Sequence, residues 1–247
     1  MPTKTAKEIR AEAWRALGEN GQYWTFFGGG IVLVFSMALF ILPIMDFLRA
    51  GIRFSGILPY FLPGGKPEIG LFLDPEVMLP LLGVALVVSI LIIYLIGFLR
   101  WGLASMSIAT MRRGLKFGHA FAGWGHGWKM GWIELVRGFY LFLWFLLWWV
   151  PGLIKLCSYS MTEYIAVDHP DWTANQCITE SRRLMDGNKW RYFCLLVSII
   201  GWRILVFFAP PLLRDLAQCF SLPYLESASA AFYEDLLDRD AAAPWRT

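Results

Sequence analysis

The sequence is short of charge, of histidine and of paired cysteines, and each shortage closes off a class of protein. Asp, Glu, Lys and Arg make up 17% of the 247 residues, where soluble proteins carry about 25%. The net charge is only +3, and the basic residues around residue 182 are too few and too far paired with nearby carboxylates to make a nucleic-acid patch. His119, His126 and His169 are the only histidines. No H-E-x-x-H, G-x-S-x-G, phosphate loop or dinucleotide fingerprint occurs. No catalytic residue, metal ligand or cofactor-binding residue is therefore expected, and the chain does not read as an enzyme. Cys157, Cys177, Cys194 and Cys219 form no C-x-x-C pair and lie in or beside apolar stretches, which suits small buried hydrophobes. The first twenty residues lack the short apolar core and cleavage site of a secretory signal.

What the chain has instead is hydrocarbon. Hydrophobic residues reach 57%, against about 45–50% in soluble proteins. The 13 tryptophans are an excess of the residue that gathers at membrane–water boundaries. Uncharged runs cover Tyr23 to Met45, closed by Asp46 and Arg49, and Val77 to Leu99, each long enough for a membrane-spanning helix. A Gly- and Pro-rich loop separates them. The segment from Arg100 to Gly131 is mixed and reads as interfacial, partly continuing the second helix. A third apolar run from Trp132 to Val150 meets Pro151-Gly152, and another follows from Leu153 to Val167. One helix through all of it would be about 54 Å long, so a tight hairpin turning at Pro151-Gly152 is expected. Tyr192 to Leu213 forms a span broken only by Arg203. Leu216 to Leu225 is short and contains Pro223, so a sixth span would have to take in Glu226.

Two amphipathic helices flank these spans. Thr5 and Glu8 have capping-box spacing, and Ala6, Ile9, Ala13, Ala16 and Leu17 recur on one face. Thr173 and Gln176 repeat the spacing ahead of a stripe of Cys177, Ile178, Ser181, Leu184 and Met185. Gly187 then suits the left-handed residue just past a helix end. Lys4, Lys7, Arg10 and Arg15 at the start, the basic residues from Arg100 to Lys129, and Arg182, Arg183, Lys189 and Arg191 outweigh Arg49, Arg53 and Lys66 of the first loop. The N-terminus and both amphipathic helices are thus expected on the cytoplasmic side.

Charges inside the spans are costly and mark candidate sites. Glu134 and Arg137 are spaced to pair, Glu163 falls at a similar depth, and Arg203 is the deepest by position, with Asp46 or Asp215 as partners. Lys155 is placed to snorkel to the outer surface. Around residue 182, Arg182–Asp186 and Glu180–Arg183 pairs would leave Lys189 and Arg191 free for lipid headgroups, worth about 1 kcal/mol each on an anionic leaflet. Arg182, Arg183, Lys189 and Arg191 are the candidate lipid- or partner-binding residues.

The stretches "VPGLIKLCSYSMTEYIAVDHP", "ESRRLMDGNKWRYFCLLVSIIGW" and "PYLESASAAFYEDL", with the opening "AKEIRAEAWRALGENGQYW", resemble the bacterial integral-membrane family catalogued as domain-of-unknown-function family 975. Two features depart from its pattern. Leu196 stands where an acidic residue is frequent, and Arg214 and Asp215 occupy a last span that is glycine-rich in relatives. The resemblance implies a polytopic membrane protein and brings no activity with it.

The fold class that follows is all-α: a polytopic helical membrane protein of about six transmembrane helices, a Pro-Gly hairpin and two cytoplasmic-side amphipathic helices. It forms one domain over 1–247, comprising an interfacial helix (1–22), a membrane bundle (23–236) and a polar tail (237–247). The expected role is non-enzymatic, in the bacterial inner (plasma) membrane, through membrane lipids or a membrane-protein partner and not through nucleic acid. The alternative is a transporter or export component with a path near Arg203 and Glu163.

Overall fold

In the computed structural model the described residues are 4–18, 21–31, 75–112, 114–207 and 211–242, with the side chains of 75–81, 84, 199–207 and 211–220 excepted. Every regular element among them is helical. In chain order these are α1 (Ala6–Gly18), helical turns at 22–31, α2 (Pro75–Met111), a 3-10 turn (Phe117–Phe121), α3 (Gly127–Leu147), α4 (Trp149–Ser158), α5 (Thr162–Asp168), α6 (Ala174–Leu184), α7 (Lys189–Phe207) and α8 (Pro211–Ala241). Most of the expected first span, the loop after it, Asp46 and the side chains of Arg203, Arg214, Asp215 and Cys219 lie outside the described residues.

Both expected capping boxes form. Thr5 N–H donates to Glu8 Oε2 at 2.6 Å and Glu8 N–H to Thr5 Oγ1 at 3.4 Å. Thr173 and Gln176 repeat this at 2.7 and 3.4 Å. Gly187 adopts φ +74, the left-handed conformation expected of it.

The molecule has a well-packed end and an apolar end. At the packed end, Ile9 and Ala13 of α1 meet Trp101 and Ile108 of α2, Met130 of α3, Tyr164 of α5, Cys177 of α6 and Phe232 of α8 in one buried core. The hydroxyls of Ser107 and Thr110 are buried there too, and each donates to a carbonyl of its own helix, Ala104 O at 2.9 Å and Met106 O at 2.8 Å. At the other end large hydrophobic side chains face outward, among them Leu86 and Leu91 of α2, Phe142 and Leu146 of α3, and Trp149 and Val150 of α4. Two helical stretches, Ala85–Met111 and Gly127–Leu147, are long and apolar enough to cross a membrane. Only 33% and 17% of their apolar windows are buried in the protein, so neither is covered like the core helix of a soluble domain.

α2 and α3 approach backbone to backbone. A Cβ added to Gly97 would lie 1.9 Å from Gly127 O and 2.3 Å from Gly131 N. Gly123 and Gly131 meet the carbonyls of Phe98 and Ile93 at 2.4 and 2.5 Å on the same construction. Gly123, Gly127 and Gly131 recur every fourth residue, a small-residue seam of the kind that brings membrane helices together.

Two sequence expectations are corrected. The hairpin turns at Trp148, which has extended backbone (φ −171, ψ 154), and not at Pro151-Gly152. Pro151 sits in the first turn of α4, where a missing N–H costs no helical hydrogen bond. Gly152 lets the returning helix lie against Phe145, whose Cδ1 would be 2.5 Å from a Cβ there. The return is also broken, because α4 ends at Ser158 and α5 starts at Thr162. Residues 237–241, where the expected polar tail begins, form the last turn of α8, which runs unbroken past Pro223 and Glu226.

Candidate functional site

The break between α4 and α5 lies beside a cluster of charged side chains. It is held open by Ser181 of α6, whose hydroxyl donates to Ser158 O at 2.9 Å and accepts from Met161 N–H at 3.2 Å. Ser160 turns back on Cys157 O at 2.8 Å. Both serines therefore serve backbone hydrogen bonding.

Beside the break, Arg100 reaches in from α2 and its Nη2 lies 2.8 Å from Glu163 Oε2. Its Nε is 3.8 Å from Glu134 Oε1, and Glu134 in turn pairs with Arg137 one turn along α3. Glu226 of α8 adds a further negative charge within electrostatic reach of Arg100. The centre thus joins α2, α3, α5 and α8 by alternating charges. Removing one partner of such a group strands the other in a poorly solvated site, which costs about 3–5 kcal/mol in buried pairs. Glu134, Arg137 and Glu163 are brought together as the sequence suggests. Arg100, the residue that joins them, was missed. The available signal was its position as the first charge after the uncharged run to Leu99.

A cavity of about 220 Å³ opens next to this centre. Arg100, Arg137, Glu163, Tyr159, Ser160 and Tyr192 supply its polar wall, and Leu141, Leu156 and Leu196 its apolar one. The Tyr192 hydroxyl is engaged by Ser229 and Ser160.

The four basic candidates near residue 182 have separate fates. Arg183 is bound by Glu180 at 2.6 Å and by Asp240 at 2.7 Å. The Asp240 and Glu180 hydrogen bonds raise its proton affinity above that of a free guanidinium. Arg191 is not free: it bonds Asp235 at 2.9 Å and Lys4 O at 2.6 Å, so it ties α7 to α8 and to the start of the chain. Asp186 pairs with Lys189 at 3.2 Å instead of with Arg182, because the turn through Gly187 brings the later residue back over it. Arg182 is exposed, with no hydrogen bond or ion pair among the described residues.

Lys155 lies close to two of these basic residues. Its ammonium lies 4.5 Å from the centroid of the Trp144 ring and within electrostatic reach of Arg182 and Lys189. It therefore joins the side that carries the other basic residues, because the hairpin folds α4 back along α3. A parallel lock stands at the packed end, where Arg112 grips Asp168 at 2.9 and 2.8 Å and Glu234 at 2.9 Å.

The histidines are occupied locally. His126 stacks on Trp101 at 4.4 Å, His169 on Trp172 at 4.2 Å, and His119 Nδ1 takes the Lys116 N–H at 3.0 Å. No group of three His, Cys, Asp or Glu among the described residues could hold a metal ion.

Among the described residues, fold and site define an all-helical bundle with an apolar outer surface and an ionic centre at a broken hairpin. Residues 85–240 match the family described as protein of unknown function, DUF975, and the chain belongs to that family. No curated protein and no solved structure matches it.

Proposed function

We propose that the chain is a multi-pass integral membrane protein of the bacterial inner membrane, with its packed end cytoplasmic, and that it acts without catalysis by engaging lipids of the cytoplasmic leaflet or a membrane-protein partner. The observation that carries this reading is the distribution of exposed side chains. Leu146 and Trp149 are 73% and 75% exposed, and with their neighbours on α2, α3 and α4 they make an apolar surface too continuous for water. α3 is 21 residues long, about 30 Å and so about one hydrocarbon thickness. Exposed Trp128 and Trp132 stand near its start, and Trp148 and Trp149 just past its end, where two boundary belts would fall.

At the charged edge of that surface Lys155, Arg182 and Lys189 converge beside exposed Trp190. This patch is where anionic headgroups would dock, and it replaces Arg183 and Arg191, whose charges are spent internally. Extraction in polymer nanodiscs followed by mass spectrometry of the retained lipid tests the reading. Anionic lipid should exceed its share of the bulk membrane and fall to that share in the Lys155→Ala/Arg182→Ala/Lys189→Ala variant. Retention of lipid in bulk proportions, with no protein partner, would sink it.

The α4–α5 break favours a second reading, a transporter, since interrupted helices line many substrate sites. Flux in proteoliposomes abolished by Glu163→Gln would support it, and a sealed protein would remove it.

A further inference from the structure

The cavity beside the ionic centre has a feature that internal charge pairing does not account for. Tyr159 is only 4% exposed, yet its hydroxyl has no hydrogen-bond partner among the described residues. The ring is buried while the hydroxyl opens onto the wall of the cavity, where it is a hydrogen-bonding group available to a ligand. That wall also carries charge of both signs, Arg100 and Arg137 beside Glu163. A simple anion entering it would face the Glu163 carboxylate, and a simple cation would face two guanidiniums. A group that bears an anion and an ammonium on one short arm satisfies both.

We propose that the cavity is a binding site for the headgroup of an amine-bearing zwitterionic phospholipid. The phosphate accepts from Arg137 and from the Tyr159 hydroxyl, and the primary ammonium donates to Glu163. The cavity volume of about 220 Å³ equals about seven water-sized groups, room enough for a phosphate with a two-carbon amine arm. Leu141, Leu156 and Leu196 form the apolar side, and α3 and α4 carry exposed hydrocarbon beyond it, so the acyl chains leave the cavity along a surface that lipid covers. A soluble zwitterion would gain nothing from that wall. The site lies where the uncharged run before Arg100 ends and the third apolar run begins, the depth of headgroups in the membrane reading on which this proposal rests.

The test separates the cavity from the basic patch by comparing two lipids of equal net charge. The protein is reconstituted in nanodiscs of equal phosphatidylethanolamine and phosphatidylcholine, carried through detergent exchange, and the retained lipid is quantified by mass spectrometry. The ethanolamine lipid should be preferred about tenfold, the factor a single charge-assisted hydrogen bond supplies, because the choline headgroup has no N–H to donate. Glu163→Gln should bring the ratio to about one. Tyr159→Phe, which removes only the unpaired hydroxyl, should lower retention of both lipids in a normally folded protein. Should Glu163→Gln fail to fold, Leu196→Trp fills the cavity from its apolar side, leaves the ion pairs intact, and should abolish the preference. A wild-type ratio near one, or a preference that survives Leu196→Trp, overturns the proposal. Either result leaves the anionic-lipid patch to its own assay, since neither zwitterion carries net charge.

Discussion

Alanine at position 97 tests the glycine seam on which the α2–α3 pair depends. Its Cβ would fall 1.9 Å from Gly127 O, 2.3 Å from Gly131 N and 2.8 Å from Gly131 Cα. All three are backbone atoms of α3, so no side chain can swing aside. Restoring ordinary contact at about 3.5 Å needs a separation of about 1.5 Å, which would also loosen the contacts at Gly123, Gly127 and Gly131. Overpacking of this kind costs about 1–3 kcal/mol, and a backbone-to-backbone clash belongs at the upper end. For a chain of this size, 2–3 kcal/mol corresponds to a melting temperature about 4–12 °C lower. The assay is thermal unfolding in nanodiscs, with Gly138→Ala on the same helix pair as control. Nothing lies within 4 Å of a Cβ at Gly138, so that change should be neutral or up to about 1 kcal/mol stabilising. Equal melting of Gly97→Ala and wild type, or an equal loss in the control, would refute the seam.

Other predictions bear on local structure. The hydrogen bond from Thr5 N–H holds the Glu8 carboxyl below its usual value; a lowered folded pKa stabilises above the unfolded value of about 4.3 and that contribution is lost as pH falls through the folded pKa. Protection of the first turn of α1 against hydrogen exchange, taken relative to the intrinsic rate at each pH, should accordingly fall below about pH 4, and Glu8→Gln should already be less protected at neutral pH. Burial pushes the Cys177 thiol up, and Cys194 is exposed on a helix of apolar character. A membrane-permeant maleimide should label Cys194 far faster than Cys177 or Cys157, and labelling of Cys177 in the folded protein would contradict the α6 packing. Gly187→Ala must hold φ +74 with a side chain, at a cost of about 1–2 kcal/mol; Asn at the same position should recover part of the lost melting temperature.

Local signals were legible in the sequence and remote pairings were not. Capping boxes at Thr5 and Thr173 and the left-handed Gly187 depend on residues three or four apart, so spacing suffices. The Pro151-Gly152 dipeptide misled because proline breaks a helix in its interior but suits its first turn. A shift of three residues to Trp148 turned an expected breaker into a starter. In the site, Glu134–Arg137 follows from i,i+3 spacing, whereas Arg100–Glu163 joins α2 to α5 and depends on how remote helices pack. The α2–α3 register is set by Gly97 against Gly127 and Gly131, whose four-residue repeat is present in "GWGHGWKMG". Arg183 and Arg191 read as free because their acceptors, Asp240 and Asp235, are distant in the chain, on the segment taken for a tail or its border.

The central claim is that the exposed surface of α2, α3 and α4 is covered by lipid. Nitroxide labels on single cysteines at Leu91, Phe142 and Leu146, which are 40%, 62% and 73% exposed, measure this directly in nanodiscs by their relaxation with oxygen and with a water-soluble nickel chelate. The account predicts strong oxygen and weak nickel accessibility at all three, with the reverse at Lys116 beyond the packed end. High nickel accessibility at Phe142 and Leu146 would place that surface in water and contradict it.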